Sequence, residues 1–181
     1  MRTEMPESAE PLVPKRWGEL NTMTIAFGHG LAVAPLQAMM AVGALVNGGK
    51  LVKPTFRLRS LEEAQSDAPQ VIRADTSEQM RYLMRLNAEV GSARTIDVAG
   101  YFAGGKTGTA NKVVNGRYSN DRVFTTFTAM APSDKPKYLF LTVYDEPQGV
   151  PETKGQRTAA WNAGAVTGKI IERVSPLLGL P

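Results

Sequence analysis

Apolar residues along this chain change their period twice, near residue 91 and again near residue 158. Residues 1 to 20 follow no period: Pro6, Pro11 and Pro14 deny helix, Trp17 is the only large anchor, and the segment is expected to be an extended strap. Pro35 suits a first helical position, and Leu36, Met39, Met40, Gly43 and Ala44 then keep the i, i+3, i+4 rhythm until Asn47-Gly48-Gly49 stops it. Ala38, Ala41, Val42 and Leu45 make the other faces apolar too, so this helix is expected to be buried, with its methionine pair as core packing. Lys50 to Leu58 predicts a short strand, and Ser60 to Ala74 reads as polar and irregular. A second helix is predicted to start at Thr76, with Thr76 and Gln79 as a capping box, and to end before Gly91; Met80, Leu83 and Met84 share one face.

Beyond that point alternation takes over. Tyr101 to Val114, Val123 to Ala131 and Lys137 to Asp145 predict three strands, joined by the hairpin signal Asn115-Gly116 and a turn over Pro132 to Pro136. A last helix is expected from about Thr158 to Val174, with Ala159, Ala163, Val166, Ile170 and Val174 as its stripe; small residues there would let it lie close on the sheet. Helices, then an antiparallel meander, then a closing helix give an α+β class: a sheet packed by helices.

Composition narrows the chemistry. Hydrophobic residues are 43% and charged residues 21% of 181, a globular balance, and the length suffices to bury roughly two thirds of the unfolded surface. With no cysteine, thiolate metal sites and cysteine nucleophiles are excluded; a Ser-His triad would have to use His29, the single histidine. A net charge of +4 allows acidic partners, but the basic residues are scattered, and the densest set, Lys50, Lys53, Arg57 and Arg59, reads as the wet face of a strand, so no nucleic-acid partner is expected. The apolar stretch Ile25 to Val46 is broken by Gly28-His29-Gly30 and Pro35 and falls short of the ~20 residues a bilayer requires. Glu4, Glu7 and Glu10 occupy the place of a signal peptide's apolar region, so a targeting segment is expected to lie outside these residues.

The run Gly100-Tyr-Phe-Ala-Gly-Gly-Lys-Thr-Gly-Thr-Ala110 satisfies two patterns. Gly100 to Thr107 fits the phosphate loop G-x-x-x-x-G-K-[ST], and Leu139 to Glu146 imitates its partner strand ending in a carboxylate. A phosphate loop must open a helix, whose free N–H groups face the phosphates. Here Gly108 to Gly116 reads as strand and hairpin turn. The second pattern is Lys106-Thr107-Gly108-Thr109 on a strand, a signature of penicillin-binding proteins and class A β-lactamases. A third reading is a glycine-rich strand without chemistry.

Around that motif, Ile25-Ala-Phe-Gly-His-Gly-Leu-Ala-Val-Ala-Pro-Leu-Gln37, Asn47-Gly-Gly49, Asn115-Gly-Arg-Tyr118, Met130-Ala-Pro132 and Val143-Tyr-Asp-Glu-Pro-Gln148 stand in an order that resembles the transpeptidase domain of class B penicillin-binding proteins, the septal type above all. The resemblance implies a penicillin-binding, serine β-lactamase-like fold and acyl transfer: an active serine attacks the D-Ala-D-Ala carbonyl of a peptidoglycan stem peptide, and a second strand's amine resolves the acyl-enzyme. It implies no cofactor and no metal. By resemblance, Lys106 lends positive charge, the hydroxyls of Thr107 and Thr109 bind the terminal carboxylate, the Thr109 N–H is half of the oxyanion hole, Gly108 lets substrate dock along the strand, and Tyr118 walls the cleft. Stem peptides and β-lactams are the implied ligands, a septal glycosyltransferase and divisome proteins the implied partners, and the periplasmic side of an inner membrane the implied location.

The family's nucleophile motif S-x-x-K and its second motif S-x-N are both absent from the 181 residues. Thr109-Ala-Asn-Lys112 has the first spacing with threonine, but third neighbours on a strand point to opposite faces. The chain is therefore expected to be the C-terminal portion of a transpeptidase domain, with the nucleophile on a preceding portion of the same polypeptide. His29, between glycines, is expected to make a turn hydrogen bond or pack near the site, Ala34 leaves the following helix a poor N-cap, and Asp145-Glu146 reads as a solvated strand end. A nucleotide-hydrolysing domain and a catalytically empty interaction module remain as alternatives.

Overall fold

A computed structural model describes residues 3–180 of the chain, which divide into two compact units at residues 80 and 81. The first unit carries backbone and capping hydrogen bonds and few buried apolar side chains among the described residues. Its strap is extended, as expected; Leu12 exchanges both backbone hydrogen bonds with Ala32, and Glu4 accepts from Thr55 Oγ1 and from the Phe56 N–H. The predicted extended stretch ends sooner than expected, because α1 occupies Glu19–Ala26. Trp17 is more than half exposed, and its indole N–H donates to Thr22 Oγ1 at 2.9 Å. α2 runs over Pro35–Val46, as its apolar rhythm predicts, but of its residues only Ala44 and Val46 are buried, and Met39 and Met40 are half-buried rather than core. Ala34 has no capping side chain, yet its N–H is satisfied by Gln37 Oε1 at 2.8 Å, the return half of a capping box.

Two expectations fail between α2 and the next long helix. Lys50 to Leu58 forms no strand, only the single bridge Lys50↔Gln70, because the Gln70 segment folds back over Gly48 and Gly49. A Cβ at Gly49 would lie 2.0 Å from the Ile72 carbonyl oxygen, so only glycine permits that crossing. The polar stretch after it contains α3, Leu61–Ser66, whose N-terminus carries a complete capping box: Ser60 Oγ accepts from the Glu63 N–H at 3.1 Å and Glu63 accepts from the Ser60 N–H at 2.8 Å. α4 spans Ala74–Val90, beginning two residues before Thr76: the Ser77 N–H already bonds the Arg73 carbonyl at 3.1 Å, which makes Thr76 a helical residue rather than the N-cap. Buried Ser77 ties it to the end of α2, donating to the Leu45 carbonyl and accepting from the Gly48 N–H, each at 2.9 Å.

The second unit is the sheet with its covering. β1 (Gly104–Val114), β2 (Arg117–Ala131) and β3 (Tyr138–Asp145) form the expected antiparallel meander in the order β1-β2-β3. Asn115 and Gly116 both have positive φ, 52° and 77°, as a tight hairpin turn requires. That turn lets β2 pair from Arg117 onward, six residues before the predicted start, with an irregularity between Asn111 and Val113. β1 starts three residues late because Gly100 and Phe102 adopt φ of 90° and 47°, which breaks the strand. A 3-10 turn at Ala159–Trp161 replaces the expected first turn of the last helix, and α5 begins at Ala163 and ends at Val174.

The buried face of α5 is Ala163, Gly164, Thr167, Gly168 and Ile171, rotated about one residue from the predicted stripe, and Ile170 is left half-exposed. Small residues do bring it close, though they are glycines: a Cβ on Gly164 would lie 2.8 Å from the Phe127 ring, and one on Gly168 would lie 2.1 Å from the Thr95 carbonyl oxygen. Phe127, Ile96, Ala129, Ala131 and Ile171 close the core between α5 and the sheet.

Candidate functional site

β1 is an edge strand, paired with β2 on one side only. The carbonyl of Gly105 accepts from Asn87 Nδ2 at 2.8 Å and that of Thr107 from Lys106 Nζ at 2.7 Å, so odd-numbered residues turn their backbone polar groups toward the open edge. By the same alternation the Thr109 N–H points outward. Cross-strand pairs Thr107↔Phe127 and Thr109↔Thr125 place both threonine side chains on the α5 face of the sheet, while Lys106 rises from the other face and folds its ammonium over the edge. A hydroxyl pair, an ammonium and an outward N–H thus lie within four residues of one strand.

Each threonine is backed by a protein group. Thr107 Oγ1 lies 3.1 Å from Ser92 Oγ and 3.3 Å from Lys106 Nζ. Thr109 Oγ1 accepts from the Ala159 N–H at 3.1 Å. The Ala159 turn is fixed in turn by Asn162, whose Oδ1 accepts from buried Thr125 Oγ1 at 2.8 Å and whose Nδ2 donates to the Arg157 carbonyl at 2.9 Å. Behind Ser92, Asn87 on α4 holds three connections: Nδ2 to the Gly105 carbonyl, and Oδ1 to the Ser92 N–H at 3.1 Å and Ser92 Oγ at 3.4 Å. Asn87, Ser92, Asn162 and the Ala159 N–H were not singled out from sequence. An asparagine in the last turn of a helix, followed by Gly91-Ser92, is a local signal for Asn87 and Ser92; Asn162 and Ala159 carry none.

Gly108 has a second structural reason to be glycine: a Cβ there would lie 2.5 Å from Thr126 Oγ1 on the neighbouring strand. Tyr118 pairs with Val113, four residues past Thr109, roughly 13 Å along the strand. Its ring is more than half exposed. Lys112 bonds both Asp145 and Glu146 at 2.8 Å, and these hydrogen bonds raise its pKa; the two carboxylates are an ion-paired strand end. His29 belongs to the other unit, with its N–H on the Thr24 carbonyl and its ring 5.2 Å from that of Phe27. A cleft of about 450 Å³ beside α5, lined by Tyr144, Val150, Trp161 and Val166 among others, contains none of the motif residues.

The phosphate-loop reading is overturned here. Lys106 and Thr107 sit inside β1, with seven strand residues after them and no helix N-terminus to receive phosphates. Among the described residues no group of three or more histidines, cysteines, aspartates or glutamates converges on a metal-sized site, and no helix is long and apolar enough to cross a membrane.

Known proteins agree with the strand reading. The Caulobacter vibrioides protein named probable peptidoglycan D,D-transpeptidase FtsI is 36% identical over 99% of this chain and 32% of its own length. Stage V sporulation protein D of Bacillus subtilis is 33% identical over 92% of this chain and 26% of its own. The chain therefore spans about a third or less of the length of these curated relatives. The apo TP domain of Burkholderia pseudomallei penicillin-binding protein 3 superposes with a TM-score of 0.86 at 27% identity, covering 99% of this chain and 54% of that one. Mycobacterium tuberculosis penicillin-binding protein 3, solved with ampicillin, superposes with a TM-score of 0.80 at 25% identity, covering 97% and 42%. The penicillin-binding protein transpeptidase domain model matches residues 1–172. With the lysine and threonines on an open sheet edge and nearly the whole chain matched, this polypeptide belongs to the transpeptidase domain family of penicillin-binding proteins.

Proposed function

We propose that this chain supplies the recognition side of a serine-type peptidoglycan D,D-transpeptidase, as the C-terminal portion of its transpeptidase domain. The observation that carries the reading is the arrangement on β1: the hydroxyls of Thr107 and Thr109 on one face of an edge strand, with the Lys106 ammonium folded over that edge. A stem peptide's terminal D-alanine carboxylate, or the carboxylate of a β-lactam, accepts from the two hydroxyls and is attracted by the ammonium. The scissile carbonyl then lies against the outward N–H of Thr109, which holds the oxyanion as it forms. A serine outside these 181 residues attacks that carbonyl, D-alanine leaves with the proton, and the amine of a second stem peptide displaces the serine oxygen to make the cross-link. Gly108 keeps the edge low enough for an extended peptide to lie beside it, and Tyr118 lines the outer end of the same hairpin.

The setting proposed with it is the septal machinery of cell division, with a peptidoglycan glycosyltransferase and divisome proteins as partners and the domain on the periplasmic side of the inner membrane. In the full-length protein, Lys106→Ala is expected to slow acylation by a fluorescent penicillin about a hundredfold, the scale of losing one preorganised electrostatic contact. Unchanged labelling would remove Lys106 from the site.

A further inference from the structure

A threonine hydroxyl holds one proton and two lone pairs, so it donates to a carboxylate only if its own proton is not engaged elsewhere. For Thr109 the protein settles this with a backbone donor, since the Ala159 N–H occupies a lone pair and leaves the proton for a ligand. Thr107 has no backbone donor of that kind. Its neighbours are Lys106 Nζ at 3.3 Å, which donates to one lone pair, and Ser92 Oγ at 3.1 Å, a group that can give or take the proton.

We propose that Ser92, held by Asn87, is a positioning residue that sets the direction of the Thr107 hydroxyl and so tunes recognition of a carboxylate. Asn87 is locked by its Nδ2 bond to the Gly105 carbonyl, which aims Oδ1 at Ser92. Ser92 Oγ then stands between two acceptors, Asn87 Oδ1 at 3.4 Å and Thr107 Oγ1 at 3.1 Å. With the site empty, Thr107 gives its proton to Ser92 and Ser92 gives its own to Asn87. When an anionic carboxylate arrives, the charge-assisted bond draws the Thr107 proton outward, and the Ser92 proton turns to the Thr107 lone pair that Lys106 leaves open. No hydroxyl is stranded in either state, and no heavy atom moves. Ser92 is exposed and contributes no core packing, so its removal leaves the fold intact.

This rests on the reading of Thr107 as a carboxylate ligand, and the experiment separates the two. In the full-length protein, acylation rates are measured for wild type, Ser92→Ala, Ser92→Thr and Thr107→Ala, using a penicillin with its free carboxylate and the methyl ester of the same penicillin. Ser92→Ala is expected to slow the free acid about tenfold, the rate equivalent of one hydrogen bond. The ester rate should stay within about twofold, since an ester accepts without charge assistance. Ser92→Thr should restore the free-acid rate. Thr107→Ala should show the same selectivity for the acid, at least as strongly. If Thr107→Ala discriminates and Ser92→Ala slows both compounds equally or neither, the Ser92 proposal falls and the carboxylate reading stands. Should Thr107→Ala itself treat acid and ester alike, the carboxylate reading falls and takes the proposal with it.

Discussion

Phe127 and Phe27 sit in the two units of one chain and meet opposite fates: the first is fully buried, the second 68% exposed. The same contrast runs through their surroundings. From residue 81 onward the apolar side chains of β2, α5 and the Arg94–Ile96 turn meet one another and close a core. Up to residue 80 only Ala44 and Val46 are buried apolar residues among those described, while Leu12, Trp17, Leu20, Met23, Phe27, Phe56 and Leu58 are exposed. α1 buries nothing at all. Within these residues the sheet unit closes its own core, while the first unit buries few apolar side chains and is crossed by hydrogen bonds such as Ser77 with Leu45 and Glu4 with Phe56. A site that must hold three polar groups within a few tenths of an ångström is best served by the packed unit, because a close-packed interior is hardly compressible and holds its side chains in single rotamers.

The largest test of that contrast is to truncate both phenylalanines in the 181-residue polypeptide itself. Phe127→Ala is expected to cost about 3–5 kcal/mol in chemical unfolding, the scale for a buried aromatic ring, and Phe27→Ala no more than about 0.5 kcal/mol. Equal losses would erase the difference between the units. Next in size is Gly168→Ala, where the added Cβ would meet the Thr95 carbonyl oxygen at 2.1 Å. Pushing α5 away from that turn is expected to cost about 1–3 kcal/mol, the range for overpacking, read as a lower unfolding midpoint. No loss would mean that α5 is not seated as tightly as its glycines indicate.

The smallest effect is a titration in the first unit. Hydrogen bonds from Thr55 and then from the Phe56 N–H lower the Glu4 pKa from 4.5 to about 2. A lowered folded pKa contributes stability that is present above 4.5 and lost as pH falls through about 2. The difference in unfolding midpoint between wild type and Glu4→Gln should therefore be small, full above that window and closed below it. A difference that does not vary with pH would show that the Glu4 carboxylate does not anchor the strap.

What could be read in advance divides along the same line. The meander, its Asn115-Gly116 turn and α2 were legible because their periods and turn residues are local signals that the packing then reinforces. α1 was not, although Leu20, Met23 and Phe27 stand at helical spacing, because eight residues between a proline-rich strap and Gly28-His29-Gly30 are too few to establish a period. α3 escaped notice although Ser60 and Glu63 form a proper capping box, because a helix of six residues has too few apolar positions to show a period. Lys50 to Leu58 looked like a strand by composition, but a strand needs a partner, and only Gln70 supplies one. Within the site, the four consecutive residues Lys106 to Thr109 were legible as a motif. Asn87, Ser92 and Asn162 were not, because each acts through a hydrogen bond across 15 or more residues that no local spacing records.

The central claim divides the chemistry: recognition of the carboxylate and oxyanion within these residues, and the nucleophile outside them. Peptide mapping by mass spectrometry of the full-length protein, after reaction with a penicillin and denaturation, tests that division directly. The account predicts one acylated serine on a peptide outside residues 1–181, with its yield sharply reduced by Lys106→Ala. A penicilloyl adduct on any peptide from within these 181 residues would contradict it.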